Sequence, residues 1–168
     1  MGLRIILAGV VVVGATLCGK ALSDAARQRA SALGTLVEDV KRLRVHMVSM
    51  FEPVPDSLAR AESPLLRQVG EGMRGGLSAG EAWAQVRRGR SFRAGPGNVL
   101  LREDREALDR LFGKLGESGR ESQEVLLSGT AEQLERLEAA AREKAGAAER
   151  LYVTLGLLVG LLLAVIVI

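Results

Sequence analysis

The last eighteen residues of the sequence, 151–168, constrain the rest of the chain most strongly. They carry no charge and consist mainly of Leu, Val, Ile and Gly. An α-helix of that length is about 27 Å long, and the hydrocarbon core of a bilayer is about 30 Å thick. An uncharged run of this length is more typical of a membrane span than of a helix buried in a globular core. We therefore expect residues 151–168 to cross a membrane.

A second uncharged run covers residues 5–19, and Arg4 precedes it. The run is short for a membrane span, but the first three residues add apolar length and the Arg4 side chain can extend to the membrane surface. A cleaved signal peptide would begin similarly, yet no small-x-small cleavage site follows. A lipoprotein anchor at Cys18 would need a small preceding residue, and that residue is Leu17. We expect residues 1–19 to form an uncleaved membrane helix.

Residues 14–20 read Gly-Ala-Thr-Leu-Cys-Gly-Lys and match the G-x-x-x-x-G-K part of a P-loop. The next residue is Ala21, where a P-loop has the Ser or Thr hydroxyl that holds Mg²⁺. No apolar run ending in Asp follows, and no alternation of strands and helices appears. Nucleotide binding is therefore a weak hypothesis, and Lys20 is better explained as the first charge at the membrane boundary.

The segment between the two runs is rich in charge but nearly neutral. Residues 20–150 contain 22 of the 23 basic residues and all 20 acidic ones, so a pI near 9.5 is a weak argument for nucleic-acid binding. One Cys excludes an intrachain disulfide, and one Cys with one His makes a zinc site implausible. His46 has no evident carboxylate or thiol partner, so we expect it to be a structural or a surface residue. No cofactor, metal site or catalytic residue is predicted.

Apolar residues recur at three- and four-residue steps through residues 22–51, which predicts one long helix that Pro53 and Pro55 end. Four shorter helices are expected to begin near residues 55, 64, 79 and 102. A sixth helix should start at a capping box at residues 118–121 and continue into the final span. No segment alternates with a period of two. The predicted fold is all-α: an antiparallel six-helix bundle at residues 20–150, flanked by transmembrane helices at 1–19 and 151–168.

Basic residues close to the two apolar runs predict the membrane topology. Cytoplasmic flanks of membrane spans are enriched in Lys and Arg. The basic residues on the bundle side of the runs are Lys20, Arg27, Arg29, Arg136, Arg142, Lys144 and Arg150. We therefore expect a hairpin with the bundle in the cytoplasm and both termini outside.

The candidate contact surface consists of Trp83 and a run of arginines. Trp83 is the only Trp, and it is either a core anchor or a partly exposed docking aromatic. The arginine run could be a solvated loop, or it could contact anionic lipid or an acidic partner. Nucleic acid is less favoured, because few aromatic residues interleave with the arginines. The run consists of Arg87, Arg88, Arg90 and Arg93.

Gly156 and Gly160 form a G-x-x-x-G pattern in the final span. In an apolar helix this pattern allows the backbone of another helix to approach closely. The partner could be the first span or another subunit, so a homo-oligomer is possible.

Two motifs resemble the stage III sporulation protein AB family. Residues 78–83, Ser-Ala-Gly-Glu-Ala-Trp, look like the Gly-Glu-Ala-Trp segment of that family. A second block of the family is matched by Leu108, Phe112-Gly113, Leu115-Gly116 and Gln123. The resemblance departs at residues 43–47, where Arg and His stand in place of acidic residues. The order of a short first span, a helical middle and a final span also agrees.

The resemblance implies a fold similar to the cytoplasmic domain of the type II secretion F-type inner-membrane protein, and residues 116–119, Gly-Glu-Ser-Gly, fit a stretch of that domain. It implies a scaffold role in the mother-cell membrane, in the channel complex built toward the engulfed forespore during endospore formation. The implied partners are the stage III sporulation AA-type ATPase and other membrane proteins of that complex. An alternative is a membrane-tethered helical adaptor or sensor outside sporulation, and a P-loop NTPase is the weakest hypothesis.

The topology can be tested with a reporter inserted near Gly95, in the middle of the predicted cytoplasmic domain. We expect a reporter that functions only in the cytoplasm to be active there. A reporter that is active only after export would contradict the hairpin topology if it worked at that position.

Overall fold

The computed structural model describes the backbone of residues 2–117 and 119–167, and the side chains of residues 24–117, 119–148, 150–151 and 154. The described chain contains helices and no strand, so the all-α prediction is confirmed for these residues. Within them there are seven α-helices and one 3₁₀ turn rather than six helices. The helices are α1 (Gly2–Ser49), α2 (Val54–Ala59), α3 (Pro64–Arg74), α4 (Ala79–Arg88), α5 (Arg90–Ala94), α6 (Arg102–Lys114) and α7 (Arg120–Val167), and the 3₁₀ turn is Pro96–Asn98.

The chain divides into two compact units, one made of Met1–Gln28 with Ala140–Ile168 and the other of Arg29–Ala139. The predicted spans lie in the first unit. Most of their side chains, including those at positions 156 and 160, fall outside the described residues, as do the Lys side chain at position 20 and the predicted cap at position 118. Among the residues that the structure does describe, no helix is both long and apolar enough to cross a membrane.

The second unit, Arg29–Ala139, has a core built mainly from leucine. Buried residues on α1 recur every three or four positions, as the sequence pattern predicts for one helical face. Residues from each of the helices α2–α7, together with Leu100, complete the core. The largest fully buried side chains are Phe112, Leu33, Leu36, Leu43, Leu58, Leu65, Leu66, Leu100, Leu108, Leu111, Leu127 and Leu134.

Contacts between α1 and α7 show that the two helices run antiparallel within this unit. The guanidinium carbon of Arg120 lies 3.6 Å from the ring centroid of Phe51, just after α1 ends. Further back along α1, the Lys41 ammonium lies 2.8 Å from Glu135 Oε1. The start of α7 therefore lies beside the end of α1, and a later part of α7 lies beside an earlier part of α1. This agrees with the antiparallel arrangement that the sequence predicts.

The end of α1 contains a non-glycine residue in the left-handed region. Phe51 has φ 57° and is 69% exposed. This backbone conformation costs an ordinary L-residue about 1–2 kcal/mol. Beside it, Nδ1 of His46 lies 2.5 Å from Glu52 Oε2, and Arg60 pairs with the other oxygen of Glu52 at 2.9 Å. The expectation that His46 lacks a carboxylate partner is therefore wrong, because the turn at Phe51 brings Glu52 back beside the helix.

A buried carboxylate on α1 binds the backbone that leads into α3. Asp39 accepts hydrogen bonds from the backbone N–H groups of Glu62 and Ser63, at 2.9 and 2.7 Å. Ser63 is the residue before the helix, but its own side chain makes no capping bond. Asp39 therefore binds the backbone N–H groups of the N-cap residue and of the residue before it, and this links the start of α3 to α1.

A buried ion pair links α1 to α6. Arg29 donates two hydrogen bonds to Asp104, from Nε to Oδ2 at 2.8 Å and from a terminal nitrogen to Oδ1 at 2.7 Å. Asp104 Oδ2 also accepts the backbone N–H of Leu101 at 2.7 Å. The hydrogen bonds to Asp104 raise the pKa of Arg29 above its ordinary value. Both side chains are buried, so each depends on the other for its compensating charge.

The arginine-rich segment is helical, which corrects the interpretation of it as a loop and accounts for the seventh helix. Gly89 is extended (φ −66°, ψ 154°) and separates α4 from α5. Phe92 on α5 is buried and holds this single turn against the bundle. A Cβ on Gly97 would lie 2.5 Å from the Phe92 ring, so the 3₁₀ turn passes directly over that ring.

Replacing Asp104 with Ala should lower the free energy of unfolding by about 3–5 kcal/mol, because it leaves the Arg29 charge buried without a partner. The measurement is denaturant unfolding of the full-length protein in detergent micelles. Asp56→Ala is the matched control, because Asp56 forms an exposed ion pair with Arg74 at 2.7 Å and should contribute less than about 1 kcal/mol. Equal losses in the two variants would contradict the role given to the buried pair.

Candidate functional site

A capping box fixes where α4 begins. The Ser78 hydroxyl accepts the backbone N–H of Glu81 at 3.3 Å, and the Glu81 carboxylate accepts the backbone N–H of Ser78 at 2.9 Å. This confirms the box predicted from the sequence. Hydrogen bonds from the Ser78 hydroxyl and backbone lower the pKa of Glu81 below its ordinary value. Because the cap sets the first turn of the helix, it also places Ala82, Trp83 and Val86 on the buried face.

Trp83 lies in the core of the Arg29–Ala139 unit and is only 3% exposed. Its ring stacks on Phe112 of α6 with centroids 5.2 Å apart and an interplanar angle of 27°. Phe92 of α5 meets the same ring edge-on, at 5.9 Å and 77°. Such aromatic pairs contribute about 0.5–1.5 kcal/mol each beyond their buried area. This geometry makes Trp83 a core anchor that joins α4, α5 and α6.

The polar end of Trp83 organises two further residues. Its Nε1 donates a hydrogen bond to Asp109 Oδ1 at 2.6 Å. The other carboxylate oxygen, Oδ2, accepts a hydrogen bond from Arg87. Asp109 is therefore held on one side by a buried indole N–H and on the other by a half-exposed guanidinium. Its charge is used within the bundle and offsets that of Arg87.

A surface cavity of about 290 Å³ lies above this Trp83–Asp109 contact, between α4 and α6. Glycines form part of its wall on both helices. A Cβ on Gly80 would lie 3.5 Å from the Phe112 carbonyl oxygen, whereas a Cβ on Gly113 would meet nothing within 4 Å. The lining residues are Gly80, Trp83, Ala84, Arg87, Arg88, Asp109 and Gly113. We call this the α4–α6 cavity.

The structure brings only some of the predicted surface residues together. Trp83, Arg87 and Arg88 line the α4–α6 cavity, while Arg90 and Arg93 lie on α5 and do not line it. All four arginines are exposed. Within the described part of the chain, Arg87 has an ion-pair partner, whereas the other three have none.

Sequence reasoning missed Asp109 and the role of the two glycines. Nothing in the local pattern pairs Asp109 with a Trp that lies 26 positions earlier. Gly80 and Gly113 do occur in the two motifs that resemble the sporulation family, and the structure shows that these motifs meet across one cavity. No local sequence signal links the two glycines, because a Cβ on Gly113 would meet nothing within 4 Å.

The described buried polar side chains are hydrogen-bonded within the bundle. In the described part of the chain, no buried side-chain nitrogen or oxygen lacks a hydrogen-bond partner. The same part holds no group of three or more His, Cys, Asp or Glu side chains arranged to bind a metal ion. The α4–α6 cavity is a surface recess lined by two arginines and one aspartate.

The fold and the site define a helical-bundle protein that presents an exposed cationic surface. The chain belongs to the stage III sporulation protein AB family, whose family model it matches over residues 4–168. This confirms the resemblance carried by the two motifs, and it gives the protein a role in sporulation. Neither the curated proteins nor the solved structures contain a significant match to the chain.

Gly113→Ala should raise the free energy of unfolding by about 0.5–1 kcal/mol. Gly113 is helical with an ordinary negative φ, and the added methyl group meets no atom within 4 Å. The measurement is denaturant unfolding of the full-length protein in detergent. Gly70→Ala is the contrasting control, because its Cβ would lie 2.6 Å from the Ala59 nitrogen and should destabilise the protein. Destabilisation by both substitutions would show that Gly113 is required by the bundle itself.

Proposed function

We propose that this protein is a non-catalytic membrane scaffold of the complex that connects the mother cell to the forespore. In this role the Arg29–Ala139 unit docks a cytoplasmic ATPase, and the two apolar runs hold that unit at the mother-cell membrane. Membership of the stage III sporulation protein AB family supports the setting.

The observation that carries the docking role is the set of exposed arginines on α4 and α5. Arg88, Arg90 and Arg93 make no ion pair with any described residue. Long charged side chains left unpaired on one segment favour association with an acidic surface, and they steer that association from a distance. The described buried polar groups, by contrast, are already used within the bundle.

The membrane role is supported by the sequence. Residues 5–19 and 151–168 are uncharged and apolar, and basic residues lie on the bundle side of both runs. The resulting hairpin would hold both ends of the bundle at one membrane face. Gly156 and Gly160 would then allow close packing in the membrane, either between the two spans or between subunits.

The implied partners are an AA-type stage III sporulation ATPase and other membrane proteins of the same complex. These come from the family resemblance. The bundle fits such a role because its helices are tied together by buried contacts such as Arg29 with Asp104. A rigid bundle can present a surface without a large ordering cost on binding.

Two alternatives have less support. A membrane-tethered adaptor or sensor outside sporulation is disfavoured by the sporulation family to which the chain belongs. An NTPase would use residues 14–20, but Ala21 lacks the hydroxyl that P-loop enzymes use for Mg²⁺.

A clean in-frame deletion in the native organism tests the scaffold role. We expect spore development to stop after engulfment, and complementation with the full-length protein should restore it. Lys20→Ala is the informative variant, because it should complement normally if the protein is a scaffold and fail if residues 14–20 bind nucleotide. Normal spore yield in the deletion strain would contradict the proposal, as would failure of a stably produced Lys20→Ala variant.

A further inference from the structure

We propose that the α4–α6 cavity accepts an acidic side chain of a partner protein, with Arg88 as its counter-charge. This inference rests on the proposed scaffold function and identifies the surface through which the bundle docks. The proposal assigns the contact to Arg88 rather than to the arginine run as a whole, and it includes the cavity that Arg88 lines.

The cavity is lined by two positively charged residues and one negatively charged residue. Arg87 is paired with Asp109, whose carboxylate is also held by Trp83, so these two charges offset each other. Arg88 lines the same cavity and has no ion-pair partner among the described residues. The cavity therefore carries one uncompensated positive charge. A guanidinium binds a carboxylate through two parallel hydrogen bonds, which supplies both charge and direction.

On the α6 side of the cavity, Gly113 leaves space that a side chain could fill. Gly113 has an ordinary φ, and a Cβ there would meet nothing within 4 Å. Neither backbone conformation nor internal packing requires Gly at this position. A missing side chain beside a recess lets another backbone approach closely, which would bring a partner side chain within reach of Arg88.

The shape of the site favours a protein over an anionic bilayer. A lipid surface is flat and would contact exposed arginines without using a recess. The α4–α6 cavity has a volume of about 290 Å³, and Trp83, two glycines and Asp109 are among the residues that line it. Arg90 and Arg93 on α5 would add longer-range steering.

The test uses the full-length protein in sporulating cells, with a photo-crosslinking amino acid at position 84, which lines the cavity. We expect a crosslink to one protein at a peptide that contains Asp or Glu. Arg88→Glu should lower the crosslink yield by at least about tenfold, because it places like charges together. Gly113→Leu should lower the yield as well, because it fills the space that the partner would occupy.

Matched controls are available on α7. Arg136 is exposed with no ion-pair partner among the described residues, and a Cβ on helical Gly129 also meets nothing within 4 Å. Arg136→Glu and Gly129→Leu should therefore leave the yield unchanged. Trp83 fluorescence of each purified variant checks that the bundle remains folded. Replacing the crosslinked acidic residue of the partner with Arg should restore binding to Arg88→Glu.

Several outcomes would overturn the cavity proposal. These are crosslinks to lipid alone, crosslinks to a peptide without Asp or Glu, equal yields for folded Arg88→Glu and Arg136→Glu, and no rescue by the charge exchange. If the deletion blocks sporulation but Arg88→Glu complements it with an unchanged crosslink, the cavity proposal fails and the scaffold proposal stands. Normal sporulation in the deletion strain would contradict the scaffold proposal and, with it, the cavity proposal.

Discussion

The stacking of Trp83 on Phe112 is the contact on which the site depends. It joins α4 to α6, and Phe92 closes the same cluster from α5. The indole N–H then holds Asp109, and Asp109 holds Arg87. As a result, one arginine is paired while the next along the helix remains available. A core contact thus determines the charge pattern of the surface above it.

Buried polar groups join α1 to α3 and to α6. Asp39 on α1 binds the backbone just before α3, and Arg29 on α1 pairs with Asp104 on α6. Both interactions join residues far apart in sequence, so they specify which helices are neighbours. Only 3% of the residues are aromatic, and the core consists mainly of leucine. Leucine side chains bury apolar surface, but they do little to specify which helices are neighbours. A bundle whose helices are held in place by such contacts can bind a partner without a large ordering cost.

The sequence predicted what depends on local patterns. The all-α class, the capping box at Ser78 and the proline-delimited end of the first long helix follow from spacing and from turn and cap chemistry, and the family resemblance followed from two short motifs. It did not predict α5, because a single turn between glycines has no periodicity and is held by the burial of Phe92. Nor did it predict the pairings of Asp109 or His46, since these depend on how the chain turns back on itself.

The most direct test of the account uses the only tryptophan as a reporter. In the full-length protein in detergent, Trp83 should emit at short wavelength and should be protected from quenching by acrylamide, because it lies stacked on Phe112 and is only 3% exposed. Unfolding in denaturant should shift the emission to longer wavelength and remove the protection. Long-wavelength emission with ready quenching in the folded protein would contradict the aromatic contact, and with it the arrangement of Asp109, Arg87 and Arg88.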